Sequence, residues 1–167
     1  MFVLDQTDEV KRLIAITKSD SGISGAKLRE AHRRLGRLIG EAFASLNPVD
    51  TTVVAMLRGG IFFAEGIASA MDCRMDMYNP KYETFVRPAT KNVILADSVI
   101  NTGKTVVESY APDMMVACCV INEKAVPLFR DNLYAVRVSS NSFVGAAQKT
   151  QTGTKGPDTT MRLFNQI

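Results

Sequence analysis

The sequence predicts an α/β fold, a mainly parallel sheet flanked by helices. Three observations carry that expectation. Short apolar runs of strand length alternate with stretches of helical periodicity, which makes the intervening segments crossovers between parallel strands. Residues 93–96, VILA, have the length and bounding signals of a central strand covered on both faces. Directly after them come a lone acid, Asp97, and a small-residue turn that opens a helix, as at the ligand edge of an open α/β sheet.

Along the chain, Leu28, Ala31, Leu35, Leu38, Ile39, Ala42, Phe43 and Leu46 recur at helical spacing behind a Ser24 cap, and Asn47-Pro48 ends that helix. Residues 51–57 read as a strand, 62–71 as a helix, 74–78 as a strand and 93–96 as the next. A short helix follows over 105–110, stopped by Pro112. Strands over 115–121 and 134–138, linked by a short helical stretch over 123–129, complete the set. Residues 79–92 and 139–158 take no regular pattern, and long irregular loops in compact domains are commonly functional or disordered.

Composition fits one soluble domain spanning residues 1–167, with 46% apolar residues to form its core. No apolar run approaches the ~18 residues of a membrane span, and the opening MFVLDQTDEVKR has acids where a secretory peptide would be apolar. The expected location is the cytoplasm. A net charge of +3 with both signs interleaved gives no nucleic-acid surface, and Arg33-Arg34 reads as a solvated helix face. Cys73, Cys118 and Cys119 lack metal or disulfide spacing and read as free thiols. His32, the only histidine, lies near the apolar face of a helix and reads as a packing residue.

Residues 93–105, VILADSVINTGKT, carry the chemistry. Asn101, Thr102, Gly103, Lys104 and Thr105 supply amides, hydroxyls and a cation at a helix start, where unpaired N–H groups and the helix dipole favour a phosphate. Lys104 either contacts that phosphate or stands exposed on the first turn. A triphosphate P-loop would need glycine five residues before Gly103, where this chain has Ser98. A carboxylate beside a monophosphate cradle suits a ligand with both an anion and vicinal hydroxyls, such as ribose 5-phosphate. Arg58-Gly59-Gly60 follows another strand end, and its glycines and guanidinium fit a second anion. Two phosphate sites around one carboxylate describe phosphoribosyl pyrophosphate (PRPP).

These segments resemble the type I phosphoribosyltransferases, and among them most closely the uracil phosphoribosyltransferases. The frame from Asp97 through Ser98 and Asn101 to Thr105 is similar to the family's acid and T-G-G-[ST] loop. Met56, Leu57, Arg58, Gly59 and Gly60 resemble its I-L-R-A-G, Arg162, Leu163 and Phe164 its R-L-F, and residues 27–41 its amino-terminal helix. The resemblance implies transfer of phosphoribose from PRPP to uracil or a close analogue, with release of pyrophosphate. It assigns Asp97 and Arg58 catalytic roles, and implies Mg²⁺, a homo-oligomer of two or more chains, and a closing loop over residues 79–92. It also implies base binding by the loop before Arg162, with Gly156 and Asp158 contacting substrate and Asp158 a metal ligand. Lys104 replaces a glycine of the loop, and three further places depart from the pattern. Tyr78-Asn79-Pro80-Lys81 stands for R-D-P-E, leaving Lys81 or Arg87 to contact pyrophosphate; Pro157, which has no N–H, separates Gly156 from Asp158; and Met161 replaces a second aspartate. Such departures also fit a catalytically inactive sensor of PRPP or a nucleotide.

Overall fold

The alternating helical and strand periods resolve into one six-stranded sheet in the computed structural model, which describes residues 1–141 and 158–167. The elements in chain order are β1 (Phe2–Val3), α1 (Asp8–Thr17), α2 (Gly25–Glu41), β2 (Thr51–Met56), α3 (Ile61–Met71), β3 (Arg74–Tyr78), β4 (Asn92–Ile100), α4 (Lys104–Val107), β5 (Met115–Asn122), β6 (Leu133–Ser139) and α5 (Thr159–Leu163). The spatial order is β1-β6-β5-β4-β2-β3, and every pairing is parallel. The sheet is therefore an α/β sheet as expected, and wholly parallel.

Burial explains why these runs become strands. All six residues of β2 are buried, as are residues 116–122 of β5, so the central strands carry apolar side chains toward both faces. On one face Val53, Ala55, Ile94, Ala96, Ala117 and Val136 meet Leu35, Ile39, Phe63 and Ile67 of α2 and α3. On the other, Val54, Leu95, Val116 and Ala135 meet Val106 of α4 and Phe129. Each fully buried Leu, Ile, Val or Phe contributes about 1.5–3 kcal/mol relative to exposure.

The connections create a crevice. From β2 the chain crosses through α3 on one face to β3; from β4 it crosses through α4 on the other face to β5. Neighbouring strands β2 and β4 thus send their continuations in opposite directions, and a gap opens at their carboxyl ends. This is a topological switch point, where open α/β sheets take ligands.

Several element boundaries differ from the sequence reading. The fourth strand was expected to end at Ala96, but β4 runs on through Ile100, because Ser98 and Ile100 are buried and Val99 and Ile100 continue to pair with β5. The helix after Gly103 covers Lys104–Val107 rather than 105–110. The helix begun at Ser24 ends at Glu41, and residues 42–45 form turns. Elements β1, α1 and α5 had not been expected; α1 is capped by the Thr7 hydroxyl and buries only Val10 and Ile14. Among the described residues no helix is long and apolar enough to cross a membrane. Cys118 and Cys119 are buried free thiols, and Cys73 is partly buried. His32 is buried with its Nδ1 2.9 Å from the Leu28 carbonyl oxygen, and burial lowers its pKa to about 4, in keeping with a packing residue.

Candidate functional site

Asp97 occupies the switch point. It faces Cys118 across the β4–β5 ladder, and its Oδ1 accepts from the Ser98 amide at 2.7 Å. Burial pushes this carboxyl up to about 7, against the opposing pull of the Ser98 and Val99 amides. Asp97 and residues 99–106 line a cleft of about 160 Å³, which places Asn101, Thr102, Gly103, Lys104 and Thr105 along the same cleft as Asp97. The loop turns at Gly103, whose φ of +76° suits glycine. Gly103 has no side chain with which to cap α4, and the Lys104 amide at the start of the helix donates to Thr102 Oγ1 at 3.4 Å. Lys104 is exposed on the cleft wall. Because α4 is only four residues long, the loop amides and Lys104, rather than a long helix dipole, supply the positive field.

The turn after β2 forms the facing wall. The Gly60 amide donates to the Met56 carbonyl at 2.9 Å, and the Leu57–Arg58 peptide bond is cis. Gly60 lies so close to β4 that a Cβ there would overlap the Ala96 carbonyl oxygen. On Gly59 a Cβ would sit 3.5 Å from Asp97 Oδ1 and 3.3 Å from Thr160 Oγ1. The Ser98 hydroxyl donates to the Gly59 carbonyl, which ties the two loops together. Arg58 is exposed; it donates to Gln166 Oε1 at 3.2 Å and lies 5.3 Å from the centre of the Phe164 ring.

The remaining candidates spread further. Lys81 lies in the turn that follows β3, on the same sheet edge as Asp97, and stacks over Tyr82. Arg87 lies elsewhere, paired through its two terminal guanidinium nitrogens with Asp113 ahead of β5, at the amino-terminal edge of the sheet. Asp158 caps α5, its Oδ2 accepting from the Met161 amide at 3.2 Å, so one carboxylate oxygen is already engaged. Gly156 and Pro157 lie outside the described residues. Among the described residues no group of three or more His, Cys, Asp or Glu side chains forms a metal cluster. Mg²⁺ commonly binds through one or two carboxylates plus substrate phosphates, and a lone Asp97 beside an anion cleft fits that donor set.

Two placements were not read from the sequence. Thr160 brings a hydroxyl against Gly59, and the signal was the Thr159-Thr160 pair behind a capping aspartate. Arg162 is buried; it donates to the carbonyls of Ile16, Thr17 and Ile23 and to the Ser21 hydroxyl, holding the α1–α2 link.

No family model and no curated protein matches the chain. Solved structures do. The AQ2163 protein from Aquifex aeolicus is similar over 98% of both chains, with a TM-score of 0.72 at 15% identity. The TT1426 protein from Thermus thermophilus aligns over 65% of this chain and 84% of its own, with a TM-score of 0.53 at 17% identity. An orotate phosphoribosyltransferase from Aeropyrum pernix aligns over 65% of this chain and 70% of its own, with a TM-score of 0.49 at 16% identity. Likeness at such identities is a likeness of fold.

Proposed function

We propose that the chain transfers phosphoribose from PRPP to a nucleobase, uracil or a close analogue, releasing pyrophosphate and leaving a nucleoside monophosphate. The observation that carries this reading is the convergence of the Asp97 carboxyl, the 101–105 loop and the Arg58-Gly59-Gly60 turn at one switch point. The loop amides and Lys104 hold the 5′-phosphate, Asp97 accepts from the ribose hydroxyls, and the amides and guanidinium of the 58–60 turn hold the pyrophosphate. A ring nitrogen of the base forms the bond to C1′ as the C1′–O bond to pyrophosphate breaks. Pyrophosphate leaves with the bonding electrons, and the nitrogen's proton passes to solvent. Cations and amides fixed on the departing oxygens stabilise that charge. Asp97 and the substrate's own oxygens would hold Mg²⁺, which when bound would add to the neutralisation of the pyrophosphate.

One observation favours a second reading, a PRPP- or nucleotide-binding regulator without turnover. The only arginine in residues 79–92 is fastened to Asp113, away from the cleft. One assay separates the two: incubation with Mg-PRPP and a panel of bases, with pyrophosphate release as the readout. Release that requires a base supports transfer. PRPP binding with no release for any base supports the regulator.

A further inference from the structure

The two edges of the sheet differ. At one, β1 pairs over two residues only. At the other, β3 presents five residues, Arg74–Tyr78, with no strand on its outer side among the described residues. The Tyr78 carbonyl accepts from the Leu57 amide at 2.8 Å, so Tyr78 directs its peptide groups toward β2. Strand residues alternate in this respect: Asp76 and Arg74 do the same, while Met75 and Met77 turn N–H and C=O outward. Such an outward row is a template for another strand, and proteins commonly blunt it with lysine, proline or a bulge. β3 contains neither residue, and its register with β2 runs unbroken from Arg74 to Tyr78.

The side chains choose the partner. Arg74 and Asp76 are exposed on one face of the sheet and form no ion pair among the described residues. Two copies of β3 running antiparallel about Met75 set Arg74 of each opposite Asp76 of the other. Met75 then meets its own equivalent as a hydrogen-bonded pair, which its outward N–H and C=O can make. The charged residues fall in the non-hydrogen-bonded pairs, where side chains approach most closely. Centring the strands on Asp76 instead would set one carboxylate against the other, which is destabilising. Apolar surface lies alongside: Met77 is 61% exposed and Val86 83%, and both line a groove of about 280 Å³ beside β3. A segment that complements itself in this way fits a two-fold contact between identical chains.

We propose that β3 is a docking edge for a second copy of this chain, the two strands pairing antiparallel about Met75 to join both sheets into one, with the Arg74–Asp76 pairs fixing the register. This pairing is independent of the phosphoribosyl-transfer reading.

Sedimentation equilibrium over a concentration series tests it on wild type, Arg74→Asp, Asp76→Arg and the double swap Arg74→Asp/Asp76→Arg. Thermal melting checks that each is folded, as substitution at two exposed positions should allow. Wild type should be dimeric. Each single variant puts like charges in both cross-strand pairs and should raise the dimer dissociation constant at least about tenfold. The double swap restores opposite charges in both pairs, as does an equimolar mixture of the two single variants, and each should recover the dimer. Arg74→Asp separates the registers, because pairing centred on Asp76 would leave its carboxylate contact unchanged. A wild type that is monomeric across the series, a folded single variant as dimeric as wild type, or a double swap that fails to recover the dimer would overturn the proposal. Should one single variant fail to fold, the other and the double swap still decide.

Discussion

A carboxyl that is partly withdrawn from water on folding and gains only backbone amides is pushed above the usual range, as Asp97 is to about 7. Between the unperturbed value of 3.8 and about 7 the folded chain holds this proton more tightly than the unfolded chain. Asp97 therefore lowers stability progressively as pH rises through that window, and the cost is complete above it. Asp97→Asn is expected to melt higher than wild type near about pH 8, with the advantage vanishing near about pH 4. The same substitution should weaken Mg-PRPP binding at about pH 8 by about 1.5–3 kcal/mol, the typical loss for a hydrogen bond to a charged group. A variant that gains stability but keeps its PRPP affinity would place the ribose elsewhere. Arg58 tests the neighbouring subsite. Arg58→Ala should weaken PRPP and pyrophosphate far more than ribose 5-phosphate, since only the first two carry the leaving-group anion. Equal losses in competition titrations for all three ligands would remove Arg58 from the pyrophosphate subsite.

At the scale of elements, the loop between β4 and α4 depends on Gly103. An alanine there must adopt a left-handed backbone, at roughly 1–2 kcal/mol, and its Cβ would meet Leu128 Cδ1 at 2.7 Å and Phe129 Cε2 at 3.2 Å. Gly103→Ala should therefore lower the melting temperature and weaken ribose 5-phosphate, and calorimetry showing full ribose 5-phosphate affinity would contradict the loop assignment. The loop itself was legible because its residue types are its chemistry: small residues, hydroxyls and a cation behind an acid. Its strand was less so. Asp97 interrupts the apolar run and looks like a terminus, yet the ladder to β5 continues through Ile100, and only the neighbouring strand reveals that. Helix α1 escaped because two buried residues, Val10 and Ile14, make a faint periodic signal. Helix α5 escaped because five residues are too few to show a period.

At the scale of the molecule, parallel pairing of β2 with β4 and the sense of the crossovers bring two turns to one edge of the sheet, so that Ser98 bonds to Gly59 across 39 positions of sequence. The strand and helix periods made the layered sheet predictable, since each period answers to burial of its own residues. Long-range polar contacts were not predictable. Arg162 read only as the first residue of a family-like R-L-F segment, and its partners at Ile16, Thr17, Ser21 and Ile23 are carbonyls and a hydroxyl that no local pattern marks. Arg162→Met should strand several of these acceptors, at about 1–3 kcal/mol for each one left dry. Denaturant unfolding should show a clear fall in stability; an unchanged midpoint would mean that water replaces the guanidinium without cost.

The central claim is that the Asp97 cleft and the Arg58-Gly59-Gly60 turn together read PRPP. The most direct measurement is a set of calorimetric titrations of wild type with Mg-PRPP, ribose 5-phosphate, pyrophosphate and inorganic phosphate under identical conditions. PRPP should bind tightest, ribose 5-phosphate and pyrophosphate each more weakly, and inorganic phosphate weakest of all. Ribose 5-phosphate and PRPP binding no tighter than inorganic phosphate would contradict the account and leave only a generic anion site.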